Sequence, residues 1–260
     1  MLKQAVHNYD SVSSFLDAFN RDAYQGSRDW MGNMTAQDAL TCAVTGYDKA
    51  VAGAESLIAK LEGSLELPQG LGFETVHSPF GGRVSMSDWL TGSPTPMRRR
   101  IKRQSDVSPV RIFVDTFVSA GIEASTLKRR GEAIIALVLL AQRIRPVDLV
   151  AVGSSTFEGH DGYRYFAVKL ESRPISLSQV GFVLGHPAFF RALGNGYFTF
   201  MNPKAPSVPC LLVSREENRA HLGLTDGDVF VEKARYGDTL VDNPDVWIQT
   251  QIERIKGDIN

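Results

Sequence analysis

Residues 110–153 read VRIFVDTFVSAGIEASTLKRRGEAIIALVLLAQRIRPVDLVAVG, and this stretch decides the fold. Val110-Arg-Ile-Phe-Val-Asp115 is a β-branched, mostly apolar run that ends in an acid. Near-continuous apolar strands of this kind belong to sheets covered on both faces. A polar loop with Ser119 and Gly121 follows. Residues 125–144 then carry helical periodicity. Leu127, Ile134, Val138 and Ala141 share one face, and Ile135, Leu137, Leu139 and Leu140 widen it. Arg143 and Arg145 stand at the end of the helix, where cations offset its dipole, and Pro146 stops it. Val147–Val152 is a second strand. A strand–helix–strand unit with parallel strands takes a right-handed crossover and places Asp115 at the carboxyl end of the sheet, where ligands of such folds bind.

Working downstream, Asp161-Gly162 is a tight-turn pair, and Glu158–Gly162 joins Val147–Thr156 to an alternating strand beginning at Tyr163. The alternation predicts an antiparallel edge strand over Tyr163–Leu170. A helix is expected over Ser176–Leu193 with a kink or break at Pro187, then a turn at Gly194-Asn-Gly196. Strands are expected at Pro209–Val213 and Asp228–Lys233, and an amphipathic helix at Val246–Ile255.

Upstream, residues 10–62 read as helical. Val12, Phe15, Leu16 and Phe19 share one face. Thr35 caps a run from Ala36 to Glu62, with Asp38 placed to help its first turn, and Gly46 and Gly53 interrupt that run. Periodicity vanishes over residues 63–109, where Pro68, Pro79, Pro94, Pro96 and Pro109 sit in a Gly- and Ser-rich background. Met86–Leu90 has room for one helical turn. The stretch ends in MRRRIKRQ, with Arg98, Arg99, Arg100, Lys102 and Arg103 clustered. The expected organisation is therefore a helical region at 1–62, a Pro/Gly-rich linker with a basic arm at 63–109, and an α/β domain at 110–260.

Composition excludes some roles. The chain has 260 residues, 43% hydrophobic and 22% charged, with a net charge of −1. No global field draws nucleic acid or membrane to it, so any such binding needs a local patch. Cys42 and Cys210 are well separated and belong to no Cys/His cluster, which fits buried thiols in a reducing compartment. The start, MLKQAVHNYDSV, lacks a secretory h-region, and the longest apolar stretch, Ala133–Ala141, is too short to span a bilayer. A cytoplasmic protein without a membrane partner is expected.

The element order and motifs resemble a von Willebrand factor A (VWA) domain. That family carries a metal-ion motif, D-x-S-x-S, after its first strand. Here Asp115-Thr-Phe-Val-Ser119 keeps the first Asp and the last Ser, while Phe117 replaces the middle Ser beside Thr116. The chain also resembles VWA-like proteins of bacterial viruses and prophages. Trp30, Gly32, Thr35, Asp38 and Ala39 match one segment, Arg129, Arg130, Gly131 and Ala133 a second, and Arg145-Pro146-Val147 a third. The resemblance implies a VWA-like (Rossmann-like) α/β fold: a central, mostly parallel sheet with one antiparallel edge hairpin, helices on both faces, and the helical region in front. In a viral setting the compartment is the host bacterial cytoplasm.

Two candidate sites follow. Asp115, Thr116 and Ser119 put a carboxylate and two hydroxyls in one loop, the oxygen chemistry that Mg²⁺ favours. With Phe117 in place of a ligand the metal site is degenerate, and no metal or other cofactor is expected; Asp115 then caps backbone N–H groups of its loop, and the loop is a partner surface. Ser214 and Glu216 do not match the family's later ligands. The basic cluster at 98–103 is a phosphate-contact candidate, with Phe80, Trp89 and Phe113 as aromatics to stack on bases. Trp30 is either a partner anchor or the cover of a small core. His7, His77, His160, His186 and His221 show no ligand spacing, and no nucleophile–base pair or phosphate loop is present. The leading functional expectation is a non-enzymatic adaptor for a protein partner. The second is a nucleic-acid-associated factor in viral transcription or replication.

Overall fold

The computed structural model describes residues 5–63, 65, 73–80, 83–102, 108–119, 121–156, 163–170, 176–201, 203, 215–235 and 237–257. In chain order these form β1 (Ala5–Tyr9), α1 (Val12–Asp17), α2 (Ala36–Thr45), α3 (Ala52–Glu62), β2 (Phe73–Ser78), β3 (Arg83–Val84), α4 (Met86–Leu90), β4 (Met97–Lys102), β5 (Val110–Asp115), α5 (Ala124–Ala141), β6 (Val147–Thr156) and β7 (Tyr163–Leu170). There follow α6 (Leu177–Gly185), a π-helical segment (Phe189–Gly194), α7 (Asn195–Met201), α8 (Arg215–Leu222), β8 (Val229–Val231), α9 (Thr239–Asp242) and α10 (Pro244–Gly257).

The main sheet has the order β1-β7-β6-β5-β8. Strands β5, β6 and β8 run parallel, and α5 makes the connection from β5 to β6. β7 is antiparallel to β6, as the hairpin reading requires. It is not the edge strand expected, however. β1 pairs parallel with it, Ala5 opposite Arg164 and Tyr9 opposite Val168, and takes the edge. A five-residue strand ahead of strongly helical sequence carries too little alternation to be read alone.

Strand alternation sorts the core. Val110, Ile112 and Val114 face the same side as Leu149, Ala151, Phe166, Val168, Val229 and Val231. That side is covered by α5, on which α3, α6, α9 and α10 pack. Val12, Phe15, Leu16, Ala39 and Leu61 belong to the same apolar cluster, so the helices before residue 63 share the core of the sheet. On the opposite side Phe113, Val150, Val152, Ala167 and Phe230 meet Leu222 and Leu224 at the end of α8. Both faces of β5 are thus apolar because both are covered.

Local chemistry sets the helix boundaries. Thr35 and Asp38 form a reciprocal capping box at α2, and Ser11 and Ser14 do the same at α1. The run from Ala36 to Glu62 is a pair of helices, broken at Gly46. The helix expected over Ser176–Leu193 breaks at His186-Pro187 and resumes. Gly194-Asn-Gly196 does not turn the chain; it lies within continuing helix, with Gly196 pressed against the backbone of Asp22 and Ala23.

Residues 73–102 also depart from expectation. In place of a linker, the described residues form a second, antiparallel sheet of order β2-β4-β3. The single helical turn at Met86–Leu90 is present as α4. The strand expected at Pro209–Val213 lies outside the described residues. Among the described residues no helix is long and apolar enough to cross a membrane.

Candidate functional site

The carboxyl ends of β5 and β8 meet at Asp115, continued by a bridge between Val118 and Ala234. Asp115 is 5% exposed, and its carboxylate accepts the Phe117 N–H at 2.9 Å. Burial pushes its pKa up from 3.8 to about 6, against the pull of that N–H and the charges of Arg130 and Lys233. Thr116 is also committed. Its Oγ1 and its backbone N–H both donate to the Val152 carbonyl, each at 2.8 Å, fastening the loop to β6. Ser119 is exposed. Phe117, which replaces the resembled family's middle Ser, packs edge-on against Phe190 with ring centroids 5.0 Å apart, and Lys233 Nζ lies 5.5 Å over its ring. The three oxygen-bearing side chains of the motif are therefore near one another in the chain but serve different ends. Asp115 and Thr116 hold backbone groups, and Ser119 faces solvent.

Two buried arginines organise the surroundings. Arg130, on α5, is 1% exposed and donates to the Asp115 carbonyl at 3.1 Å and to the Glu232 carbonyl, joining the ends of β5 and β8. Burial lowers its pKa, while Asp115 and Asp238 hold it up. Arg191, in the π-helical segment, donates to the carbonyls of Trp30, Ser119 (2.7 Å) and Ile122 (3.1 Å). Its guanidinium also lies 5.4 Å over the Trp30 ring. A planar fork with five N–H donors suits this task, since one side chain can satisfy several carbonyls at once. Trp30 is half-buried, packed on the main core and edge-on to Tyr24. Beside it, Gly32 takes a left-handed conformation (φ +67°), and a Cβ there would meet the Pro187 ring at 2.7 Å.

His186 closes this region from behind. Its ring stacks on Phe182, meets Tyr47 edge-on, and its Nδ1 accepts the Ala188 N–H at 3.2 Å. Burial pushes its pKa down from 6.5 to about 4, so it is neutral at neutral pH. Next to the Arg130–Glu232 contact lies an open cavity of about 430 Å³, lined by Glu232, Lys233, Asp238, Trp247, Gln251 and Arg254 among others.

Sequence reasoning singled out Arg130 only as a motif letter and missed Arg191 and the cavity. A signal was present for Arg191, a lone cation within the apolar run FFRALG, since such a residue is rarely buried without partners. Arg130 ends the run Lys128-Arg129-Arg130, where nothing in the sequence separates it from its neighbours.

The basic cluster lies elsewhere. Arg98, Arg99, Arg100 and Lys102 belong to β4, the middle strand of the small sheet, and Arg103 lies outside the described residues. Arg98 is exposed and stands opposite both Arg83 and His77. Phe80 and Trp89 flank this sheet at 79% and 62% exposure. Phe113 does not join them, because it is buried in the main sheet.

The described residues thus define an α/β protein with a mostly parallel central sheet, whose loops at the carboxyl edge are tied by buried arginines, plus a small antiparallel sheet. A family model described as "Domain of unknown function (DUF7192)" matches residues 2–220, and the chain belongs to that family. The matched span covers the Trp30 loop, Asp115, Arg130, Arg191 and the small sheet, and ends before β8. No curated protein and no solved structure matches the chain.

Proposed function

We propose that this protein is a non-enzymatic adaptor, of the kind found in bacterial viruses and working in the host cytoplasm, that holds a protein partner against the loops at the carboxyl ends of its main sheet. In this reading the scaffold is VWA-like and its metal motif has become structural. The observation that carries the reading is Arg191. One guanidinium gathers carbonyls from the Trp30 loop and from both ends of the Ser119–Ile122 turn. Loops held this way are ordered before a partner arrives, which spares part of the entropy lost on binding. The commitment of the Asp115 carboxylate and the Thr116 hydroxyl to backbone partners supports recognition without a bound ion.

The test is affinity purification of the full chain from expressing cells, with and without EDTA and with and without nuclease. A specific partner is expected to survive both treatments. Placing a bulky cation on the exposed loop by Ser119→Arg should remove it while leaving thermal stability unchanged. Release of the partner by EDTA, or its retention by the Ser119→Arg variant, counts against the proposal.

A further inference from the structure

We propose that the small sheet of residues 73–102 is a second binding surface, and that its ligand is single-stranded nucleic acid. This goes beyond the adaptor reading and does not depend on it.

The first argument is electrostatic. Across β2, β4 and β3 the register sets His77, Arg98 and Arg83 in one row. Like charges directly opposite in an antiparallel pair destabilise it, and Arg83 and Arg98 are such a pair. Both are exposed. Asp88, on α4, answers the row at one end, with its carboxylate 3.1 Å from His77 Nδ1. The strand then continues through Arg99, Arg100 and Lys102, and the pairing strand answers these three with one acid, Glu74 opposite Ile101. The whole chain carries a net charge of −1, so this is a local concentration of positive charge on a nearly neutral protein. An anionic chain laid along β4 relieves the repulsion that the register builds in.

The second argument chooses among anionic chains. Phe80 lies two residues beyond the end of β2 and Trp89 stands on the turn of helix between β3 and β4, both largely exposed. Large aromatics held in water beside a basic strand are what unpaired bases stack on, with little regard to sequence. A duplex hides its base faces, and an acidic peptide has none.

The experiment is fluorescence anisotropy with the full chain and a labelled oligothymidylate of about twenty nucleotides, titrated between low and moderate salt. Binding is expected to weaken as salt rises, with a log–log slope of about −0.7 for each phosphate neutralised. Arg98→Gln should make the slope shallower. Trp89→Ala should weaken binding about ten-fold and leave the slope unchanged. Phe80→Ala provides the same reading if the Trp89 variant melts differently from the parent. Arg21→Gln, a distant exposed cation, should bind as the parent does. The proposal is overturned by an absence of binding at low salt, by equal affinity for a duplex of the same length, by equal competition from polyglutamate, or by full binding in both aromatic variants.

Discussion

Arg191 ties carbonyls on separate loops, and its removal takes the side-chain donor from the Trp30 and Ile122 carbonyls, while Ser119 keeps the Ile122 N–H. Each such group costs about 1–3 kcal/mol when orphaned. Arg191→Met should therefore lower the unfolding free energy by about 3 kcal/mol or more. Arg191→Lys should fare little better, because an ammonium cannot reproduce the fork. Urea unfolding of the two variants checks this. Asp115 and His186 give a second prediction at the same scale, because their shifts oppose each other. Asp115 holds its proton more tightly when folded (about 6) than when unfolded (3.8), so its contribution falls as pH rises through that window. His186 binds its proton less tightly when folded (about 4) than when unfolded (6.5), so stability falls as pH drops through its window. Between pH 4 and 6 the two slopes nearly cancel. Asp115→Asn removes one of them. The variant should lose stability as pH falls from 6.5 to 4, where the parent stays flatter. Relative to the parent it should also gain by a few kcal/mol on going from pH 4 to pH 8. Denaturant midpoints at those pH values decide the matter.

Among the elements, α5 and α6 cross so closely that a Cβ on Gly131 would come within 2.5 Å of the Gly185 Cα. The obstacle is backbone, which cannot rotate away. Gly131→Ala gains about 1 kcal/mol in helix propensity, yet the overlap should outweigh this and leave the protein about 2 kcal/mol less stable by thermal melting. This closeness also explains part of what the sequence made legible. The motif around Arg130 and Gly131 serves the junction of β5, β8 and α6, so it was visible as a pattern before its job was known. The unit from β5 to β7 was readable to within three residues, because long apolar periods and a proline stop leave little ambiguity. The small sheet was not, since β3 is two residues long and its prolines and glycines mimic a linker. Gly194-Asn-Gly196 misled for a related reason. Local turn preference lost to the packing of Gly196 on the Asp22–Ala23 backbone, which no local rule contains. At the site, Asp115 and its cap on an N–H of its own loop were legible, as the Phe117 bond bears out, but the ties of that loop to the rest of the fold were not. Those depend on Val152 and the buried arginines, far away in the chain.

Across the whole molecule, the N-terminal strand and the helices that follow it are bound into the main sheet's core. Deleting residues 1–10 should expose the hydrogen-bonding edge of β7, with Tyr165 and Phe166 in it. Unpaired edges of this kind recruit other strands. The truncated chain is expected to elute as oligomers or aggregates in size-exclusion chromatography. If it stays a single species with the parent's elution volume, β1 is dispensable and the prediction fails. Beyond stability, β1 has a consequence for synthesis. Ala5 waits for Arg164, about 160 residues downstream. At about 5–20 residues per second, the ribosome needs roughly 8–30 s to deliver that partner. β1 is thus made long before its partner, and for that interval the nascent chain depends on whatever shields an unmated strand.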